Sequence, residues 1–167
     1  MKKTASIILG FILAALAISN SPFALRYTRA ASTTCSAAWI DKAGMPTARR
    51  DCAAAAIDGK LYVVGGATRN AFVDTLEVYD PASDTWTAKR GMPTVRAFSA
   101  AAAIDGKLYV VGGVGDSGRL NTLVVYDPLT DAWTTKAEMP TARQYLGAVA
   151  IEGKLYAIGE TAEGPPT

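Results

Sequence analysis

The chain has 167 residues, 17 Lys and Arg against 15 Asp and Glu, and no histidine. A net charge of +2 without a basic cluster argues against nucleic acid or an anionic membrane as partner. The missing imidazole removes Ser-His-Asp catalysis, Cys-His pairs and the usual zinc and copper ligand sets.

Residues 1–19 read as a secretory signal peptide. Lys2-Lys3 forms a positive n-region, Ala5 to Ile18 is uncharged and apolar, and Ala15-Leu16-Ala17 and Ala17-Ile18-Ser19 offer small residues at cleavage positions. An uncleaved anchor is the alternative, and only then would a membrane be a partner. The apolar stretch falls short of the roughly 20 residues a span needs, and Asn20, Ser21 and Pro22 interrupt it. Cleavage predicts a secreted, periplasmic or cell-surface protein and, by removing Lys2 and Lys3, leaves 17 − 2 = 15 basic residues against 15 acidic. Residues 20–36 follow as a linker.

From there a 47-residue period governs the chain. Gly44-Met45-Pro46-Thr47-Ala48-Arg49 returns as Gly91-Met92-Pro93-Thr94-Val95-Arg96 and again as Glu138-Met139-Pro140-Thr141-Ala142-Arg143. Residues 53–66, AAAAIDGKLYVVGG, recur letter for letter at 100–113, and Trp39, Trp86 and Trp133 keep the same spacing. A period of this length means one supersecondary unit stacked on copies of itself. Residues 37–43, around Trp39, match the last strand of a unit whose first three are missing. Units follow at 44–90 and 91–137, and a partial third at 138–167.

Each unit predicts four antiparallel strands in a meander. The first, 52–57, meets Asp58-Gly59, a dipeptide whose residues tolerate the positive φ of a two-residue hairpin, and the second follows at 60–64. The third runs 75–79 up to Asp80-Pro81, and the fourth, 85–88, centres on Trp86. Alanines suit a first strand nearest the axis of a propeller, where blades converge and only small side chains fit the taper. The second strand is apolar on both faces, as expected where neighbouring blades cover each side. Gly65-Gly66 then frees the backbone as it leaves the sheet.

These residues resemble the kelch repeat family of β-propellers. The resemblance rests on the pairs Gly65-Gly66 and Gly112-Gly113, on Tyr79 and Tyr126, and on Trp86 and Trp133 seven residues after each tyrosine. It covers 39–159 and implies an all-β, kelch-type β-propeller of antiparallel four-stranded blades in which the glycines, tyrosines and tryptophans, Trp39 included, build the blades. Gly159-Glu160 breaks the glycine pair in the third unit, where the chain offers only a hairpin with its second strand at 154–158. One lone outer strand, two blades and a hairpin make an incomplete ring, because propellers typically close with 4 to 8 blades. A fragment of a longer protein is the first reading; assembly of several copies, through open blade edges, is the other.

The candidate chemistry is sparse. No P-loop or dinucleotide fingerprint follows any strand, so no cofactor or metal is expected. Cys35 precedes an outermost strand and Cys52 begins an innermost one, at opposite ends of the blades, which argues against the disulfide that export would permit. Cys52 reads instead as a small apolar residue, with Ser99 and Leu146 in its place elsewhere. Asp58, Asp105, Glu152, Asp80, Asp84, Asp127 and Asp131 recur at turns, where carboxylates serve the backbone. Arg49, Arg96 and Arg143 recur in every unit and read as structural, although related sugar-handling propellers line a central pocket with arginines.

Divergence between copies carries more information. Strand alternation places the loops before first strands and after second strands on one face, and there the copies part: Arg50-Asp51 against Ala97-Phe98 and Gln144-Tyr145, and Ala67-Thr68-Arg69-Asn70 against Val114-Gly115-Asp116-Ser117. Recognition concentrates in loops on a rigid scaffold. Arg50, Asp51, Arg69, Asn70, Phe98, Asp116, Gln144 and Tyr145 are the candidate binding residues. The reading is an exported, non-catalytic module presenting this face to a protein or glycan. The alternative is a fragment of a carbohydrate-active propeller of the sugar mutarotase or epimerase type.

Overall fold

A computed structural model describes residues 40–161, with side chains through Gly159. The signal segment, the linker, Cys35 and Trp39 lie outside the described residues. Strands β1 (Ala53–Ile57), β2 (Lys60–Val64), β3 (Leu76–Asp80) and β4 (Thr85–Lys89) form an antiparallel sheet in chain order. After β5 (Ala100–Ile104) and β6 (Lys107–Val111), a short ladder of β7 (Val114–Gly115) and β8 (Gly118–Arg119) precedes β9 (Leu123–Asp127) and β10 (Ala132–Lys136). The second sheet runs β5-β6-β9-β10, and β11 (Arg143–Ile151) pairs with β12 (Lys154–Thr161) as a lone hairpin. Two four-stranded antiparallel blades and a hairpin therefore make up an all-β, incomplete ring.

The turns follow from their residues. Asp58, Asp105 and Glu152 adopt φ of 49°, 50° and 50°, each followed by a glycine near +70°, the left-handed pair a tight two-residue hairpin requires. The third strands end on Asp80 and Asp127, whose carboxylates accept the Ala82 and Leu129 amides at 2.9 Å and bind Lys60 and Lys107 across the sheet at 2.8 and 2.7 Å. The third strand lies one residue later than expected.

Three expectations need correcting. Of the outer strand read at 37–43, residues 40–43 form no strand. They are anchored instead by one residue: the Ala43 amide donates to Asp84 Oδ1 at 3.0 Å and its carbonyl accepts Trp86 Nε1–H at 2.8 Å. Arg90, one period on, does the same to Asp131 and Trp133. The loop at 114–119 contains the β7–β8 ladder, because Gly118, at φ 104°, closes a tight turn there. The last hairpin is longer than expected: with Glu160 where the other units have a second glycine, β12 runs on to Thr161 and pairs back to Arg143 past a bulge between Gln144 and Gly147.

Alternation in the strands gives every blade two apolar faces, and adjacent blades share them. Ala53, Ile57, Tyr62, Val64, Leu76 and Val78 of the first blade pack against Leu108, Val110, Val124 and Tyr126 of the second. The next contact repeats this one period later, with Ala100 and Val111 against Leu146, Ala148, Leu155 and Ala157. Each fully buried leucine or valine contributes about 1.5–3 kcal/mol relative to exposure. Tyr79 stacks on Trp86, and Tyr126 on Trp133, with centroids 5.1 Å apart in both blades.

The glycine pairs join one blade to the next. The Gly66 amide donates to the Arg96 carbonyl, and Gly113 to Arg143, both at 2.8 Å. A Cβ on Gly65 or Gly112 would stand 2.5 or 2.7 Å from the same carbonyls. Only glycine permits that approach.

Candidate functional site

The loops that diverge between units are joined to each other. Arg50 and Ala67 exchange backbone hydrogen bonds at 3.0 and 2.8 Å, and Ala97 and Val114 do so at 2.9 and 2.8 Å. The loop before each first strand is thus clamped to the loop after each second strand.

Asp51, Phe98 and Tyr145, spaced by one period, all adopt left-handed backbone, with φ of 57°, 55° and 50°. For a bulky aromatic this conformation is strained, and recurrence in three units means that the surroundings enforce it. The cause is a hydrogen-bonded chain across the units: the Phe98 amide donates to the Asp51 carbonyl and the Tyr145 amide to the Phe98 carbonyl, each at 3.0 Å. This backbone brings the two aromatic side chains together, with ring centroids 4.5 Å apart and planes tilted by 52°. Phe98 is half-buried, whereas Tyr145 is 59% exposed.

Polar groups surround this pair. Arg50 Nε binds Asp51 at 3.1 Å. With its side-chain oxygen turned toward Arg119, Gln144 accepts from that guanidinium at 3.2 and 3.0 Å. Arg50, Arg69, Asn70 and Asp116 come together around an open cleft of about 350 Å³, completed by Ala67, Thr68, Ala71 and Phe72. The eight candidate residues therefore fall into a cleft group of four, an aromatic pair, and two, Asp51 and Gln144, that hold arginines in place. Phe72 and Arg119 were missed. They stand one period apart, and the exchange of Phe for Arg was the available signal.

The opposite end of the blades is uniform. Grooves of about 290 and 240 Å³ are built from matching positions: Asp58, Lys60, Tyr62, Asp80, Thr87 and Lys89 in one, Asp105, Lys107, Tyr109, Asp127, Thr134 and Lys136 in the other.

Two of the recurring arginines, Arg49 and Arg96, point into the blades. Arg49 is fully buried, bound to Glu77 at 2.6 Å and to the Val63 carbonyl at 3.0 Å, while Thr47 Oγ1 donates to the same carboxylate at 2.8 Å. Arg96 is also fully buried, but Val124 replaces the carboxylate. Its guanidinium rests on the Gly112 and Thr122 carbonyls and Thr122 Oγ1, and burial lowers its pKa to about 10. Arg143 donates to the Gly159 carbonyl at 2.9 Å.

The displaced side-chain pKa values belong to the same framework. A hydrogen bond to Asp84 pushes the Tyr79 phenol up to about 12 and holds the Asp84 carboxyl below its usual 3.8. Burial, then Asp131, raises Tyr126 further, and Lys107 lowers Asp127. These four groups are all moved away from neutrality.

A family model described as the KLHDC2/KLHL20/DRC7 Kelch-repeats domain matches residues 25–160. The solved "Structure of YjhT" superposes with a TM-score of 0.68 at 23% identity over 74% of this chain. At that identity the likeness is one of fold. The chain spans 48% of that protein's length. No curated protein sequence matches it.

Proposed function

The chain belongs to the kelch-repeat family of β-propellers, and from that premise we propose that it is an exported, non-catalytic interaction module whose loop face binds a protein or glycan. Kelch propellers commonly serve protein interactions, which supports the general class. The carrying observation is the Phe98–Tyr145 pair: two aromatic rings held by strained backbone on the face where the units differ, flanked by Arg119 and Gln144 and lying on the same face as the Arg50–Arg69 cleft. Rigid aromatics beside arginine suit a protein hot spot or a sugar platform. Export is supported by Lys2-Lys3 and the apolar segment behind them, and the intact mass of protein recovered from expressing cells should correspond to a start between Ile18 and Asn20. Recovery only as full-length, membrane-extracted chain would instead indicate an anchor.

Binding is tested with exported proteins and a glycan array, comparing wild type with loop-face and opposite-face variants. Phe98→Ala or Tyr145→Ala should weaken binding by about 1–3 kcal/mol, the range for aromatic anchors. Ser83→Ala and Thr130→Ala, at the opposite end, should leave it unchanged. Loss of binding in the second pair with retention in the first would place recognition on the wrong end of the blades.

A further inference from the structure

We propose that the groove between the first and second blades, at the end opposite the divergent loops, binds one pyranose unit of a neutral saccharide. The site is separate from the loop face and does not rest on the reading given for that face. Its polar rim comes from the first blade: the Lys60–Asp80 ion pair at 2.8 Å, with Asp58, Thr87 and Lys89. Ile57 and Val78, both buried, form an apolar floor, and Pro128 adds a wall from the second blade. The groove holds about 290 Å³. That is just below the range of pockets for drug-sized ligands, about 300–1,000 Å³, and suits a single sugar ring.

The lining selects its ligand by charge. Two carboxylates and two ammonium groups leave the groove without net charge. An anion would meet Asp58 and Asp80, and a cation would meet Lys60 and Lys89. An apolar ligand would strip water from these charges and return no hydrogen bond. A hydroxyl serves both signs at once, because it donates to a carboxylate and accepts from an ammonium. The pair that would receive it is held in place, since Asp80 also accepts the Ala82 amide at 2.9 Å. The ring carbons of the sugar would then cover Ile57 and Val78. One period on, Asp105, Lys107, Asp127, Thr134 and Lys136 line the groove of about 240 Å³ with the same chemistry. Thr87 and Lys89 are exposed, so packing does not dictate them, yet both are repeated there, whereas their exposed neighbours Ala82 and Ala88 become Leu129 and Thr135.

Saturation-transfer NMR of the whole chain with millimolar glucose, galactose and mannose tests this, with glucuronic acid and protonated glucosamine as charged probes. At least one neutral hexose should receive saturation, and both charged sugars should receive less. Because two grooves share the lining, variants are made in pairs, all at exposed positions. Lys60→Met with Lys107→Met should weaken binding of that hexose about tenfold, the loss of one hydrogen bond to a charged group. Thr87→Val with Thr134→Val should weaken it about threefold, the loss of a neutral one. Phe98→Ala and Tyr145→Ala should leave it unchanged, which separates this site from the loop face. Absence of transfer to all three hexoses would overturn the proposal, as would a charged sugar binding as well as the neutral ones. Undiminished binding in both paired variants, or a loss confined to the loop-face variants, would overturn it equally.

Discussion

Gly112→Ala is expected to destabilise the protein by about 2–5 kcal/mol, measured as a lower urea midpoint with unchanged slope. Two terms add. At φ 63° an alanine enters the left-handed region, at about 1–2 kcal/mol. Its Cβ would also stand 2.7 Å from the Arg143 carbonyl and 3.1 and 3.2 Å from the Leu146 methyls. Relieving that overlap costs about 1–3 kcal/mol, because the carbonyl is the acceptor of the Gly113 amide and cannot retreat without losing it. Gly106→Ala isolates the first term: φ is 71° there, but nothing lies within 4 Å of the new methyl. If the two variants lose equal stability, close approach between units is not what position 112 requires.

Removing the Glu77 carboxylate should cost about 3 kcal/mol, the lower end of the range for stranding a buried charge. Glu77 is 2% exposed and provides the counterion of the fully buried Arg49. The lower end applies because Arg96 shows how the equivalent arginine manages without one, on the carbonyl and hydroxyl of Thr122; Thr75 occupies that place in the first unit. The measurement is a double-mutant cycle of Glu77→Leu and Arg49→Met followed by chemical unfolding. The double variant should be more stable than Glu77→Leu alone, since it leaves no orphaned charge. A Glu77→Leu protein as stable as wild type would mean that the ion pair contributes no net stability.

The units and turns were legible because they depend on local chemistry: Asp-Gly closes a hairpin wherever it sits between apolar runs, and the period places each copy. What escaped depended on contacts between units. Nothing near Glu77 in sequence announces that its partner is Arg49, and Val124 in the next copy conceals the pattern. The left-handed backbone at Asp51, Phe98 and Tyr145 was equally hidden, because aromatic residues do not signal positive φ; only the amide-to-carbonyl bonds between units demand it. The proximity of Phe98 and Tyr145 follows from their shared place in the period, but the Gln144–Arg119 contact does not. It rests on where the β7–β8 turn carries Arg119, and that ladder is only two residues long.

The blade-to-blade bonds from Gly66 and Gly113 and the chain through Asp51, Phe98 and Tyr145 join residues of one unit to residues at a constant offset in the next. Excision or duplication of one whole period would therefore leave no donor or acceptor stranded: every backbone group would meet the same kind of partner, supplied by a different copy. A gene encoding such a chain can lengthen or shorten by unequal recombination without passing through a misfolded intermediate, provided the change is a multiple of 47 codons. The loop face, whose side chains take no part in those bonds, is free to change between one event and the next. Copy number and specificity can then evolve separately.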